Sequence, residues 1–408
     1  MKNLSITSVP RLGELEVEVV ERKGIGHPDT IADALAESLS VAYARYTLEH
    51  FGAILHHNFD KLAVLGGTTE VDFSAGKLTS PIRVILNGRA SMRFGDETIP
   101  VRDILEAETR RFFSSLFGDS MDAGRDVEKH WFVSSASGPG KTKWSTGSRA
   151  HLFAPRSINE VKGYDRLLNN DTSMGCGYAP LSLVEVAVLA LEEKLNSSAT
   201  KQKYPWLGTD IKVMAVKTHD QCGVTVCLPQ IARYVPSLET YQDNLATMQS
   251  IIEEILGELL QGMRIAISAN MRDNIAHGDV YLTAIGSSIE SGDEGIVGRG
   301  NRINGLITPL RPINLEGACG KNPKYYTGKL YNVAAHKIAH RLYGETQKAC
   351  EVLLVGQTGQ PVVEPWHTLI RTAETPLDEK RIERIVEEEL TRIPQITEAL
   401  LERKVRLY

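Results

Sequence analysis

The chain has 408 residues, 42% of them apolar and 24% charged, and its 46 basic side chains against 51 acidic ones leave a formal net charge of −5. That balance is ordinary for a soluble globular protein, its mild acidity argues against a nucleic-acid partner, and no run approaches the ~18 apolar residues of a membrane span. At roughly 150 residues per domain the length predicts two or three domains. The opening MKNLSITSVPRLGELEVEV has no apolar stretch suited to a secretory leader. Five cysteines (Cys176, Cys222, Cys227, Cys319 and Cys350) form no CxxC pair, which predicts reduced thiols in a cytoplasmic protein rather than a disulfide frame or zinc site.

Strand-like and helix-like segments alternate along the chain. Glu14–Val20 reads as a strand by its alternating Leu, Val and Glu. Pro28–Phe51 reads as a helix, with Ile31, Leu35, Leu39, Ala42 and Tyr46 at helical spacing and Gly52 as its stop. Lys61–Leu65 and Pro81–Leu86 are short strand candidates, and Asp103–Phe117 is a helix ended by Gly118. The loop-like Ser134–Arg149 misses the GxxxxGK[ST] phosphate-loop pattern because Ser135 stands where its first glycine belongs.

The second half repeats the theme. Leu181–Leu195 is helical, Asp210–Val216 and Gly223–Leu228 are strand-like, and Ser237–Leu260 is a long helix capped by Ser237. Apolar runs at Arg264–Ser268 and Val280–Ile285 precede a helix at Tyr331–Leu342, a strand at Glu351–Val355 and one amphipathic helix over Asp378–Arg403. The order fits two-layer α/β domains, and three strand–strand–long-helix sections read as copies of one unit.

Four polar constellations interrupt this pattern. His27 and Asp29 flank a helix N-terminus, where free N–H groups and the macrodipole attract phosphate and an acid can hold magnesium; a cap and a dipole-complementing acid explain them equally well. Asn169–Pro180 reads as a glycine-rich loop in which Asp171 sits among turn formers. Ser291–Arg302 gathers glycines for close backbone approach around two arginines with phosphate-fork geometry. Asp210 and Lys212, two apart on a strand, face the same way and offer an acid for hydroxyls and a lysine for phosphates, or simply an exposed ion pair. Lys321 follows a glycine before the next helix, a weaker signal. Together they point to a polyphosphate nucleotide with a divalent metal.

ERKGIGHPDTIAD, LHHNFDK, NNDTSMGCGYAPLS, DIKVMAVK, ANMRDNIAHGDVYLT, GDEGIVGRGNRINGLITPLRP and GKNPKYYTGKLYN occur in this order. The chain resembles the archaeal-type S-adenosylmethionine synthetases (methionine adenosyltransferases) over essentially its full length. The resemblance implies three α/β domains related by pseudo-threefold symmetry, each a sheet with helices on one face, approximated as 1–135, 136–275 and 276–408 with interleaved segments. It implies a homodimer with active sites between subunits, ATP and L-methionine as substrates, magnesium as cofactor, and potassium as an activator in related enzymes.

It further implies roles for single residues. His27 lies on the phosphate side near the bond that breaks, Asp29 is a magnesium ligand, and Lys212, Arg299 and Lys321 bind the triphosphate. Asp171 and Asp293 face methionine or the ribose, Asp210 contacts the ribose, Tyr281 lines the adenine pocket or, equally, is a core aromatic of a strand, and Lys329 completes the phosphate-side segment. His57, Asn58 and Asp60 match the family without an assigned role. The chain departs from the family in having Tyr325–Tyr326 where Asn-His is common, and in Thr68–Glu70 and the Ser134–Arg149 stretch. A second reading, a non-catalytic nucleotide-binding paralogue, rests on the Tyr325–Tyr326 change.

Overall fold

The computed structural model describes residues 3–13, 15–135, 153–163, 167–373 and 378–408. Three sheets share one wiring. In the first, Ala63–Leu65 pairs antiparallel with Ile82–Ala90, the helix Val101–Phe117 follows, and Val127–Ser134 returns parallel to Ile82–Ala90. In the second, Lys212–Thr218 and Gln221–Cys227 form the hairpin, Leu238–Leu259 is the helix, and Arg264–Ala269 is the parallel return. In the third, the hairpin is Cys350–Val355 with His367–Thr372, and the helices Glu379–Thr391 and Ile393–Leu401 follow. Its parallel strand is Leu4–Ser8, supplied by the other end of the chain.

Each sheet takes its fourth strand from elsewhere: Gly295–Ile296 joins the first, Val17–Lys23 the second and Met174–Ala179 the third. These strands interlock the units cyclically. Val17–Lys23 leads to helix Pro28–Phe51, which packs on Gly295–Ile296. Gly295–Ile296 leads through the loop 297–326 to helix Thr327–Thr346, which packs on Met174–Ala179; that strand leads to helix Leu183–Leu195, which packs on Val17–Lys23. Three hydrophobic clusters fill the three sheet–helix layers, centred on Leu35 and Val84, on Ile338 and Val352, and on Leu191 and Val213. The fold is thus the expected mixed α/β arrangement of sheets carrying helices.

The helix Pro28–Phe51 has the expected bounds, with Gly52 at φ 70° closing it in the left-handed region that glycine adopts freely. Leu183–Leu195 starts after Ser182, whose hydroxyl and the Glu185 carboxylate form a reciprocal capping box. Two expectations need correction. The segment read as a glycine-rich loop holds the strand Met174–Ala179. Its glycines are there because a helix lies on them: a Cβ on Gly175 would fall 2.1 Å from the Tyr331 carbonyl carbon, and one on Gly177 would fall 2.4 Å from the His336 nitrogen. The C-terminal amphipathic segment is two helices, not one, because Pro394 cannot donate to the preceding turn and the chain re-enters helix at Ile393. The strand expected at Glu14–Val20 is Val17–Lys23, and the unforeseen strand Leu4–Ser8 precedes it; Glu14 lies outside the described residues, as does most of Ser134–Arg149. Among the described residues no helix is long and apolar enough to cross a membrane.

Candidate active site

His27, Asp210, Lys212, Tyr281 and Asp293, drawn from four distant segments, line one cleft of about 900 Å³. Gly26 makes the approach possible: a Cβ there would lie 2.6 Å from the Asp210 nitrogen, so only glycine lets the turn before His27 lie against Asp210. Backbone bonds fix that contact, from Gly24 N–H to Ile211 O at 2.8 Å and from Gly26 N–H to Thr209 O at 3.1 Å. His27 caps the helix, and its Nδ1 accepts the Asp29 N–H at 3.1 Å. Burial lowers the His27 pKa further than Asp210 raises it, so the ring is neutral near pH 7. A neutral ring that accepts at Nδ1 carries its proton on Nε2, which is then a hydrogen-bond donor.

Asp210 precedes its strand instead of opening it, and is buried. Its Oδ2 accepts from the Ser288 N–H (3.0 Å), the Ser288 hydroxyl (2.7 Å) and the Tyr281 hydroxyl (3.1 Å). Burial nevertheless pushes its pKa up. The Ser288 hydroxyl also reaches Asp293, at 3.0 Å, and ties the two acids together. Lys212, partly exposed, is paired with Glu21 at 3.0 Å.

Arg299 and Asp29 belong to a clamp beside this cleft. Asp29 accepts the Ile296 N–H at 3.1 Å, and Asp33, one turn on, accepts the Gly298 N–H at 2.8 Å and the Gly300 N–H at 3.2 Å. The Lys23 ammonium bonds both Asp29 Oδ2 and the Arg299 carbonyl, each at 2.8 Å. The backbone is therefore held on both sides of Arg299, while its exposed guanidinium has no partner among the described residues. Burial raises the Asp33 pKa to about 7 against the opposing pull of those N–H groups.

The remaining candidates except Lys329 line a second cleft, also of about 900 Å³, which includes His57, Asn58, Asp60, Asp171, Lys321, Tyr325 and Tyr326. The LHHNFDK segment docks on the GKNP segment: Phe59 N–H donates to Gly320 O at 2.7 Å, and Asn58 bridges Lys321. Lys321 Nζ lies 2.8 Å from Asp60 Oδ2. Burial raises the Asp60 pKa, but Lys321 and Lys61 outweigh it and hold the carboxyl below its usual value. His57 is a core residue, its ring nitrogens 2.8 Å from the Ser40 hydroxyl and 2.9 Å from the Leu55 carbonyl, with its pKa driven down to about 3 by burial. Asp171 is exposed and accepts its neighbour's N–H, from Thr172, at 2.8 Å. Lys329 reaches neither cleft: it is fully buried, and its ammonium is held by Glu37 at 2.7 Å and the Lys321 carbonyl at 2.6 Å.

Sequence reasoning missed Ser288, Lys23, Asp33 and Glu37. The last two were legible as a stripe, since Asp29, Asp33 and Glu37 recur every four residues along one helix. Lys23 and Ser288 carried no such signal. For magnesium, Asp29 is the fitting donor. The Lys23 ammonium at Oδ2 already marks it as a cation-binding oxygen, and each oxygen keeps a lone pair beyond its bond. Magnesium on a nucleotide needs one or two carboxylates, with phosphates and waters completing its shell. No group of three or more His, Cys, Asp or Glu that could hold a metal ion occurs among the described residues.

The family model described as S-adenosylmethionine synthetase (AdoMet synthetase) matches residues 2–404. A probable S-adenosylmethionine synthase from Aquifex aeolicus is 38% identical over 414 residues, spanning 99% of each chain. The S-adenosylmethionine synthases of Pyrobaculum aerophilum (38% over 402 residues, 96% of each chain) and Hyperthermus butylicus (37% over 423 residues, 100% of each) are similarly close. A solved structure titled as an unusual S-adenosylmethionine synthetase from Campylobacter jejuni superposes with a TM-score of 0.56, covering 94% of this chain and 88% of that one; at 13% identity it speaks to the fold alone. Full-length kinship and fold agree: the chain belongs to the S-adenosylmethionine synthetase family.

Proposed function

We propose that the protein joins ATP and L-methionine into S-adenosylmethionine and then hydrolyses the expelled triphosphate to pyrophosphate and phosphate. The methionine sulfur attacks C5′ of the ribose, the C5′–O5′ bond breaks, and its electron pair leaves on the triphosphate. A thioether is already a neutral nucleophile, so this step needs positioning and charge neutralisation instead of a general base. His27 donates from Nε2 to the leaving oxygen, a role that its neutral state and occupied Nδ1 support. Lys212 and Arg299 neutralise the departing triphosphate, Asp210 takes a ribose hydroxyl with Tyr281 beside the base, and Asp293 faces the developing sulfonium. Magnesium, when bound at Asp29 and the phosphates, supplies charge neutralisation on the leaving group.

Lys321 and Asp171 act, in this reading, from the second cleft of a partner copy. A twofold homodimer that sets the first cleft of one chain against the second cleft of the other completes both sites at once. The observation that carries the proposal is the convergence of His27, Lys212, Asp210, Tyr281 and Asp293 on one cleft in a chain of this family. The reaction is assigned to the cytoplasm, where both substrates are available. The test is incubation with ATP, methionine and magnesium, followed by chromatography. S-adenosylmethionine with separate pyrophosphate and phosphate is expected; methionine-independent ATP cleavage without the sulfonium product would overturn it.

A further inference from the structure

We infer that Tyr326 is a positioning residue, one that aims the Lys321 ammonium into the second cleft as a single directed donor for a phosphate oxygen. The inference rests on the reading of that cleft as part of the polyphosphate site. Lys321 Nζ lies 2.8 Å from Asp60 Oδ2, 2.8 Å from the Tyr326 hydroxyl oxygen and 4.0 Å above the Tyr326 ring. The phenol has one proton, and Glu316 takes it at 3.0 Å. Tyr326 therefore presents a lone pair to Lys321 and has no proton left to offer an anion, contrary to what a tyrosine near phosphate would suggest. Burial, reinforced by Glu316, pushes the phenol's pKa up, so this orientation persists at ordinary pH.

The consequence is geometric. An ammonium has three N–H donors. Asp60 and Tyr326 take two, tetrahedral geometry directs the third, and Lys321, Asp60 and Tyr326 all line the cleft. The aromatic face below adds attraction for the cation. The lysine backbone is equally fixed, since its carbonyl accepts from the Ser40 hydroxyl at 2.9 Å and from Lys329 at 2.6 Å. Lys321 has thus lost its freedom before a ligand arrives, which lowers the ordering cost of binding.

The test is a double-mutant cycle in the full-length protein, with inorganic tripolyphosphate as the probe for both binding and hydrolysis. Tyr326→Phe keeps the ring and removes the acceptor. It should weaken tripolyphosphate binding roughly tenfold, the scale of one hydrogen bond to a charged group, with an unchanged melting temperature. In a Lys321→Ala background the same substitution should change nothing further. Glu316→Gln frees the phenol to reorient, so it should give a smaller loss that also vanishes without Lys321, and it serves if Tyr326→Phe does not fold. Wild-type binding by Tyr326→Phe, or losses that multiply independently of Lys321, would overturn the inference. Failure of the wild-type protein to bind tripolyphosphate would instead overturn the functional reading beneath it.

Discussion

Asp33 shows how one residue can matter to a site that it does not line. Its carboxylate grips the N–H groups on both sides of Arg299 from inside a buried helix. The arrangement has a pH signature. Burial holds the Asp33 pKa near 7, above its unfolded value, so its contribution to stability is fully present below about pH 4 and is lost as pH rises through 7. Removing the titration by Asp33→Asn should therefore be more costly at pH 5 than at pH 8. Thermal unfolding of both proteins at the two pH values checks this; a gap independent of pH would show that Asp33 does not titrate there. At the chemical centre, His27→Ala should lower the synthetase rate roughly 10²–10³-fold, the cost of one preorganised donor, while the far-ultraviolet circular dichroism stays native. A purified variant with near-normal turnover would remove His27 from its assigned role.

At the scale of elements, glycine decides where a helix can lie on a strand. The Met174–Ala179 strand carries the helix Thr327–Thr346, and no Cβ fits at Gly175 or Gly177. The opposing atoms are helix backbone, which cannot swing aside as a long side chain could. Gly175→Ala should destabilise the fold by at least the ~1–3 kcal/mol typical of overpacking, and Gly223→Ala should be mild, since the nearest atom to its Cβ is 4.0 Å away. Urea unfolding of the pair measures the difference, and equal midpoints would refute the close packing. Gly295 repeats the theme: its Cβ would meet Pro28 O at 1.9 Å, so the strand before Arg299 and the start of the His27 helix are locked together. The loop that carries Arg299 thereby leaves a strand that is fixed against that helix.

The whole molecule places most of the candidate site residues in two clefts with no lining residue in common, one with His27 and one with Lys321. A twofold dimer of composite sites makes a quantitative prediction. Mixed dimers of His27→Ala and Lys321→Ala chains would carry one intact site each, so random mixing of two inactive proteins should restore about a quarter of wild-type activity. Were both residues to serve a site within one chain, no mixed dimer would hold an intact site and mixing would restore nothing. An active monomer in sedimentation would defeat the composite site directly.

Much of this protein was legible in the sequence because the signals are local. The helix Pro28–Phe51 follows from apolar spacing with a proline at its start and a glycine at its end, and Ser237 announces its helix by capping. The motifs likewise carried the resemblance to the S-adenosylmethionine synthetases, the family that the match over residues 2–404 shows. What the tertiary structure decided is which of those residues meet. Met174–Ala179 is a strand because a helix from more than a hundred residues later lies on its glycines, and no periodicity within the segment encodes that neighbour. Lys329, one motif position among several, is withdrawn into an ion pair with Glu37, and Tyr326 turns its proton to Glu316 and its lone pair to Lys321. Those outcomes depend on burial and on the direction of single protons. Both are set only when distant segments have closed around a group and removed it from water.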